Sequence, residues 1–260
     1  MIKTSLPQIY QKLIPANILN LSIKETKATC ADCLRSRDLR FSYAYKPNLK
    51  CCTFQPFLPN YAVGGILVEK LNGADRILEI IKKKDHSLPL GLFPDLDYQH
   101  KFLQKNKTDF GTKTDLLCRY YDKAENQCSI WNYRGVVCTT YFCTSDYGKD
   151  GQNFWKKMND YLSFTEMALA EDCLVLKDFS PRDISDQLVY LNFSDFDSID
   201  KYQLSVQKYK KMWNGYDDEV DFYKSCYNLV KNHSRIDFKK ILLNQGLALE
   251  KEVLKAGLCL

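Results

Sequence analysis

The apolar and polar positions divide the chain into a first part with little regular period and a second part that reads as helix. From Phe154 to Leu176, residues Phe154, Trp155, Met158, Tyr161, Leu162, Met167, Ala168 and Leu169 recur mostly three or four apart, which predicts an amphipathic helix. Ser180-Pro-Arg-Asp183 reads as a cap with proline at the first helical position, opening a helix over Ile184 to Phe193. Two more helices are predicted from Asp217 to Lys231 and from Ile236 to Lys255, with Gly257 close behind the last. In the first part, Leu71, Ile77, Leu78, Ile80 and Ile81 supply one face of a helix from Glu69 to Lys84. Lys82, Lys83 and Lys84 stand near its C-terminal end, where cations suit the helix dipole. Apolar clumps on either side of Pro15 predict short helical pieces, and the alternating aromatics from Phe41 to Tyr45 predict a short strand or hairpin arm. Residues 85 to 115 carry Pro89, Gly91 and Pro94 with no strong period and read as connection.

Length and composition narrow the class. A chain of 260 residues can bury a substantial core as one large domain or two small ones, and 45% hydrophobic residues mark it as folded. A net charge of +5 is modest for this size, so a nucleic-acid partner is not expected. The most apolar run, Tyr61 to Val68, is too short for a bilayer, and the N-terminal residues lack the unbroken apolar stretch of a secretory signal. A cytoplasmic protein with no membrane contact is therefore expected. Neither an internal repeat nor a flexible linker is visible, so residues 1–150 and a helical region at 151–260 are expected to pack as one unit.

The chemistry lies in the eleven cysteines. An odd number in a reducing compartment points to metal or redox chemistry before disulfides. Cys118, Cys128, Cys138 and Cys143 fall within 26 residues, with gaps of nine, nine and four. Cys30-Ala-Asp-Cys33 is a tight two-residue spacing of the kind that turns both sulfurs toward one ion. The adjacent pair Cys51-Cys52 is read as extended, and side chains of neighbouring extended residues point to opposite faces, so the pair is not assumed to face one ion together. Cys173, Cys226 and Cys259 are spread too far along the helical half to suggest a common site. Thiolates satisfy Zn2+ and a [4Fe-4S] cluster alike, so ligand type does not choose between them. Either centre with four thiolates carries a net charge of about minus two, which makes Arg134 and Arg119 candidates to offset it, Arg134 as a donor just behind the ligands. Tyr120, Tyr121, Trp131, Tyr133, Tyr141 and Phe142 are candidates either to exclude water from such a centre or to serve as ordinary core material. A cysteine nucleophile needs a base, and none of His86, His100 and His233 lies in a recognisable catalytic motif.

Taken together, Cys-x-x-Cys, Cys-Cys and Cys-x9-Cys-x-Ile-Trp-x-x-Arg-x-x-x-Cys-x4-Cys resemble the YkgJ-type cysteine-cluster family over roughly residues 28 to 145. Trp131 and Gly135 stand where that family often has tyrosine and proline, and the interval from Cys33 to Cys51 is longer than usual. The resemblance implies a zinc- or iron-chelating protein that draws at least four ligands, in one site or two, from Cys30, Cys33, Cys51, Cys52, Cys118, Cys128, Cys138 and Cys143. A flagellin lysine methylase branch is similar in having cysteine ligands of an iron-sulfur cluster. It implies, as the alternative, an iron-sulfur enzyme that modifies a protein or peptide side chain. The fold class expected is mainly α with irregular metal-bound loops, the N-terminal cysteine region packed against C-terminal helices.

Overall fold

The computed structural model describes residues 2–4, 6–25, 34–37, 44–191 and 203–260. Among these, helix outweighs strand by 57% to 4%, so the chain is mainly α. In order the elements are α1 (Ala16–Leu19), α2 (Leu34–Arg37), β1 (Leu58–Pro59), α3 (Asn60–Val68), α4 (Ala74–Lys83), β2 (Ser87–Leu88), β3 (Gly91–Leu92), α5 (Leu96–Leu103), β4 (Tyr121–Asp122), β5 (Gln127–Cys128), α6 (Val136–Thr140), α7 (Gly148–Val175), α8 (Pro181–Leu188), α9 (Val206–Met212), α10 (Glu219–Asn232) and α11 (Arg235–Gly257).

The core is built around α3. Its sequence, NYAVGGILV, is apolar on every side, and every residue but the last is buried, as expected of a helix with no polar face. α10 lies against it most extensively, and α4, α7 and β3 also touch it. Gly64 sets that approach: a Cβ there would fall 1.9 Å from the carbonyl oxygen of Tyr223 on α10, so a larger residue would push the two helices apart. The apolar run and the amphipathic pattern after it are thus two helices, the first ending at Val68 and the second starting after Gly73. α11 packs along α7, and α6, which carries Cys138, packs on α7 as well.

The capping chemistry holds as the residues predict. Ser180 and Asp183 form a reciprocal capping box with Pro181 opening α8, and Asp95 and Asp218 cap α5 and α10 through their carboxylates. α8 ends at Leu188, earlier than the pattern predicts, and Asn192 and Phe193 lie outside the described residues. α7 begins at Gly148, six residues before the first periodic aromatic, and α11 is broken at Leu243, whose φ is 51°.

Residues 85 to 115 are not a plain connection. β2 and β3 pair antiparallel and β1 closes the other side of β3, giving a three-stranded sheet in the order β1-β3-β2. Leu88, Leu90, Leu92 and Phe93 are fully buried in it, and α5 follows. Two-residue strands leave most backbone groups without ladder partners, and helical side chains supply them. Tyr223 Oη donates to Leu88 O at 2.7 Å, Trp213 Nε1 to Ser87 O at 3.3 Å, and Leu90 N–H donates to Gln187 Oε1 at 2.8 Å. A buried ribbon this short has no measurable period, which is why the sequence pattern reads it as loop. Of the Phe41–Tyr45 arm, residues 41–43 lie outside the described residues, and Tyr45 itself is buried without strand pairing.

Candidate metal centre

Three stretches of chain that carry cysteines converge. The first is the turn over residues 47–53. Lys50 N–H donates to Lys46 O at 2.9 Å and Cys52 N–H to Leu49 O at 3.0 Å, so the backbone around Cys51 and Cys52 coils instead of extending. Successive side chains on a coiled backbone diverge by about 100° and not 180°, and both thiols reach one side. The expectation that an extended pair would separate them is corrected by this geometry.

The second stretch is joined to the first by one backbone bond: Cys118 N–H donates to Cys52 O at 2.8 Å. β4 and β5 then form a hairpin that places Cys128 opposite Tyr121. Its turn is set by Asp122, whose carboxylate accepts from the N–H groups of Ala124 and Glu125, and by Asn126, whose φ is 52°. Ser129 ties the return strand down through N–H and Oγ, both on Tyr120 O, at 3.0 and 2.8 Å.

The third stretch is α6. Gly135 precedes it, and a Cβ there would lie 2.9 Å from both Phe57 O and Pro56 Cβ, so glycine lets the loop press against the Phe54–Phe57 segment. Thr139 Oγ1 donates to Arg134 O at 3.1 Å, and Val136 N–H donates to the buried carboxyl of Glu166 on α7 at 3.0 Å. Cys138 is thereby presented toward the other two stretches.

The result is a cavity of about 50 Å³ lined by Cys51, Cys52, Cys118, Cys128 and Cys138. Phe54, Pro56, Tyr120, Tyr121, Ile130 and Trp131 form its apolar wall, and Arg134 completes it. That volume would hold roughly three to five water molecules at about 10–15 Å³ each. Among the described residues, no three His, Cys, Asp or Glu side chains stand close enough to hold a metal as they are. The donor set itself fits: five thiols and no competing carboxylate on the wall are the ligands that Zn2+ and iron-sulfur clusters take.

Electrostatics tie the same thiols together. Burial pushes the Cys118 thiol up to about 12, with Cys128 and Cys51 adding to the effect, while a backbone hydrogen bond from Tyr120 and the Arg119 charge pull it down. Burial likewise raises Cys138 well above the usual thiol range, helped by Cys118, Cys51 and Cys128 and opposed by Arg134. A metal must displace those protons before the sulfurs can bind it.

The expected site residues divide. Cys30 and Cys33 lie outside the described residues. Cys143 is partly buried but does not line the cavity; it lies near Tyr45 and Tyr141, whose hydroxyls share a 2.8 Å hydrogen bond. Arg134 lines the cavity with its guanidinium carbon 3.5 Å from the Trp131 ring centroid. Arg119 is engaged elsewhere, donating to Phe93 O at 2.6 Å and pairing with Asp85 at 3.3 Å. Of the aromatics, Tyr120, Tyr121 and Trp131 face the thiols. Tyr133 instead donates to Glu69, Tyr141 bonds Tyr45, and Phe142 stacks on Trp155 at 4.2 Å between centroids. Phe54 and Pro56 join the wall without having been singled out from sequence; their position just after Cys51-Cys52 was the one local signal. His86 and His100 are partly buried, His86 beside Asp85 and His100 beside Gln104.

Comparisons of the chain with family models, curated proteins and solved structures find no match. Among the described residues, no helix is long and apolar enough to cross a membrane.

Proposed function

We propose that this chain is a cysteine-ligated metal-binding protein of the YkgJ-type cysteine-cluster kind, holding Zn2+ or an iron-sulfur centre. The observation that carries the reading is the meeting of five thiols, from three separate stretches, on the wall of one small cavity. Cys51, Cys52, Cys118, Cys128 and Cys138 are the proposed ligand pool there, and Cys30, Cys33 and Cys143 belong to the wider proposed set. Arg134 offsets the negative charge of the thiolates from the cavity wall. The metal, once bound, supplies cross-links between short elements that make few contacts of their own, so its binding energy is folding energy for this half of the chain.

Anaerobic purification followed by elemental analysis for zinc, iron and acid-labile sulfide tests the reading directly. Metal is expected at near-stoichiometric occupancy, and its exhaustive removal by chelation is expected to lower the melting temperature. A metal-free protein that keeps its melting temperature would sink the structural role. A brown, sulfide-containing protein identifies the cluster form. The lysine N-methylase-like alternative, acting on a protein or peptide partner, requires that form, so a colourless zinc-loaded protein removes it.

A further inference from the structure

A second and larger cavity, of about 460 Å³, lies directly behind the thiol cavity, and Phe54 and Pro56 belong to both walls. Its size is that of a small-molecule pocket. Phe57, Tyr98, Phe102 and Met167 make it predominantly apolar, and no Lys, Arg or His among the described residues lines it. An anionic ligand would therefore find no counter-charge there.

Its polar groups are few and specific. Gln55 is 3% exposed, and its Nε2 has no hydrogen-bond partner among the described residues, a buried donor left unsatisfied. Glu166 is 8% exposed and takes one hydrogen bond, from Val136 N–H on Oε2. Burial pushes this carboxyl up to about 8, so at neutral pH it is a carboxylic acid whose O–H is a donor. Gln99, also on the wall, is already committed through Nε2 to the carbonyls of Pro94 and Tyr190. Ser163, also on the wall, is exposed to solvent, so the buried donors that remain on offer are two, from Gln55 and Glu166, in an apolar and uncharged surround.

We propose that this cavity binds a neutral, largely apolar small molecule that carries a carbonyl-type oxygen, which accepts from Gln55 and Glu166. One oxygen with two lone pairs matches two donors, and the apolar body fills the space between Phe57, Phe102 and Met167. The site adjoins the thiols through Phe54, Pro56 and the Val136–Glu166 bond two residues before Cys138. It does not depend on which metal those thiols hold.

The test uses the full chain as purified, with its metal content measured in the same sample. Ligand-observed NMR and calorimetric titration are run with acetophenone, and with benzylamine and benzoate as charged comparators of the same size. Acetophenone is expected to bind in preference to both. Glu166→Leu and Gln55→Leu are each expected to weaken it about tenfold, equivalent to about 1.4 kcal/mol, whereas Glu166→Gln, which keeps a donor, retains it. Met167→Trp, at a partly exposed position on the wall, is expected to abolish binding by filling the space. No acetophenone binding by the wild-type chain, preference for benzylamine or benzoate, or undiminished binding in Met167→Trp would each overturn the proposal. Acetophenone binding by a protein that holds no metal would refute the metal reading and leave this one standing.

Discussion

Two groups of cysteines that meet in space occupy this chain, and their surroundings differ. Cys118 and Cys138 meet Cys51, Cys52 and Cys128 around a void, on short turns, a two-residue hairpin and a five-residue helix. Cys173 and Cys226 meet where the long helices α7 and α10 touch, both 0% exposed, with Cys173 Sγ 3.7 Å from Cys226 O. There the Cys173 thiol is raised first by its hydrogen bond with Cys226 and then by burial. The helical pair lines none of the cavities described above, and the cation that acts on it, Lys177, belongs to no cavity wall shared with it, so it reads as small apolar packing with a local sulfur hydrogen bond. Thiols meet in both places; convergence on open space beside a guanidinium is what distinguishes the first group and supports the metal proposal. Cys173 and Cys226 touch across 53 residues of chain without forming a site lined by other ligands.

The sharpest way to break that distinction is substitution on each side of it. Cys138→Ser is expected to lower bound metal at least about tenfold, while Cys226→Ser leaves it unchanged; equal occupancy in the two variants, read by elemental analysis, would erase the difference.

The next largest effect concerns what anchors the thiol region to the helices. The Glu166 carboxyl has a folded pKa of about 8 against an ordinary value of 4.5. Between those values the folded chain binds a proton that the unfolded chain has lost, so stability is full below about pH 4.5 and declines as pH rises through 8. At about 1.4 kcal/mol per pH unit the decline is on the order of a few kcal/mol. Urea unfolding from pH 5 to 8.5 is expected to show it, and Glu166→Gln to flatten it; a parallel slope in the variant would assign the dependence to other groups.

Smaller again, Cys226→Ser is expected to destabilise by about 1–3 kcal/mol, since it buries a hydroxyl among apolar side chains; thermal unfolding at constant metal content measures this. Arg134→Gln is expected to weaken metal affinity about tenfold through loss of its charge beside Cys138, with little change in the fold. A competition titration against a chelator would read that change, and unaltered affinity would reduce Arg134 to a stacking partner of Trp131.

How much of this was legible in the chain can be judged from particular residues. Helices α7, α8, α10 and α11, the Ser180 cap and the terminal lysines of α4 follow from local rules, because periodicity and capping act within one or two turns, whereas the short α9 shows too little period to be read. The thiols worth watching were also legible as residue types and spacings. Whether Cys51 and Cys52 share a face was not, because the coil of residues 47–53 is set by bonds to neighbouring turns and not by its own pattern. The buried ribbon at residues 87–93 was hidden for the same reason, being too short to show a period and held by Tyr223, Trp213 and Gln187 from elements about a hundred or more residues away. Glu166 and Gln55 gave no signal at all, since a glutamate on a helix and a glutamine in a loop acquire their meaning only when burial removes water from them.

The sequence by itself determined that this is a largely helical chain with an unusual concentration of thiols in its first half, since composition and short-range periodicity need no third dimension. Tertiary structure alone decided which thiols face one another, which are merely packed, and that an apolar cavity with two buried donors stands behind them. Those outcomes depend on segments distant in the chain closing on the same few cubic ångströms, and no local rule encodes where such segments meet.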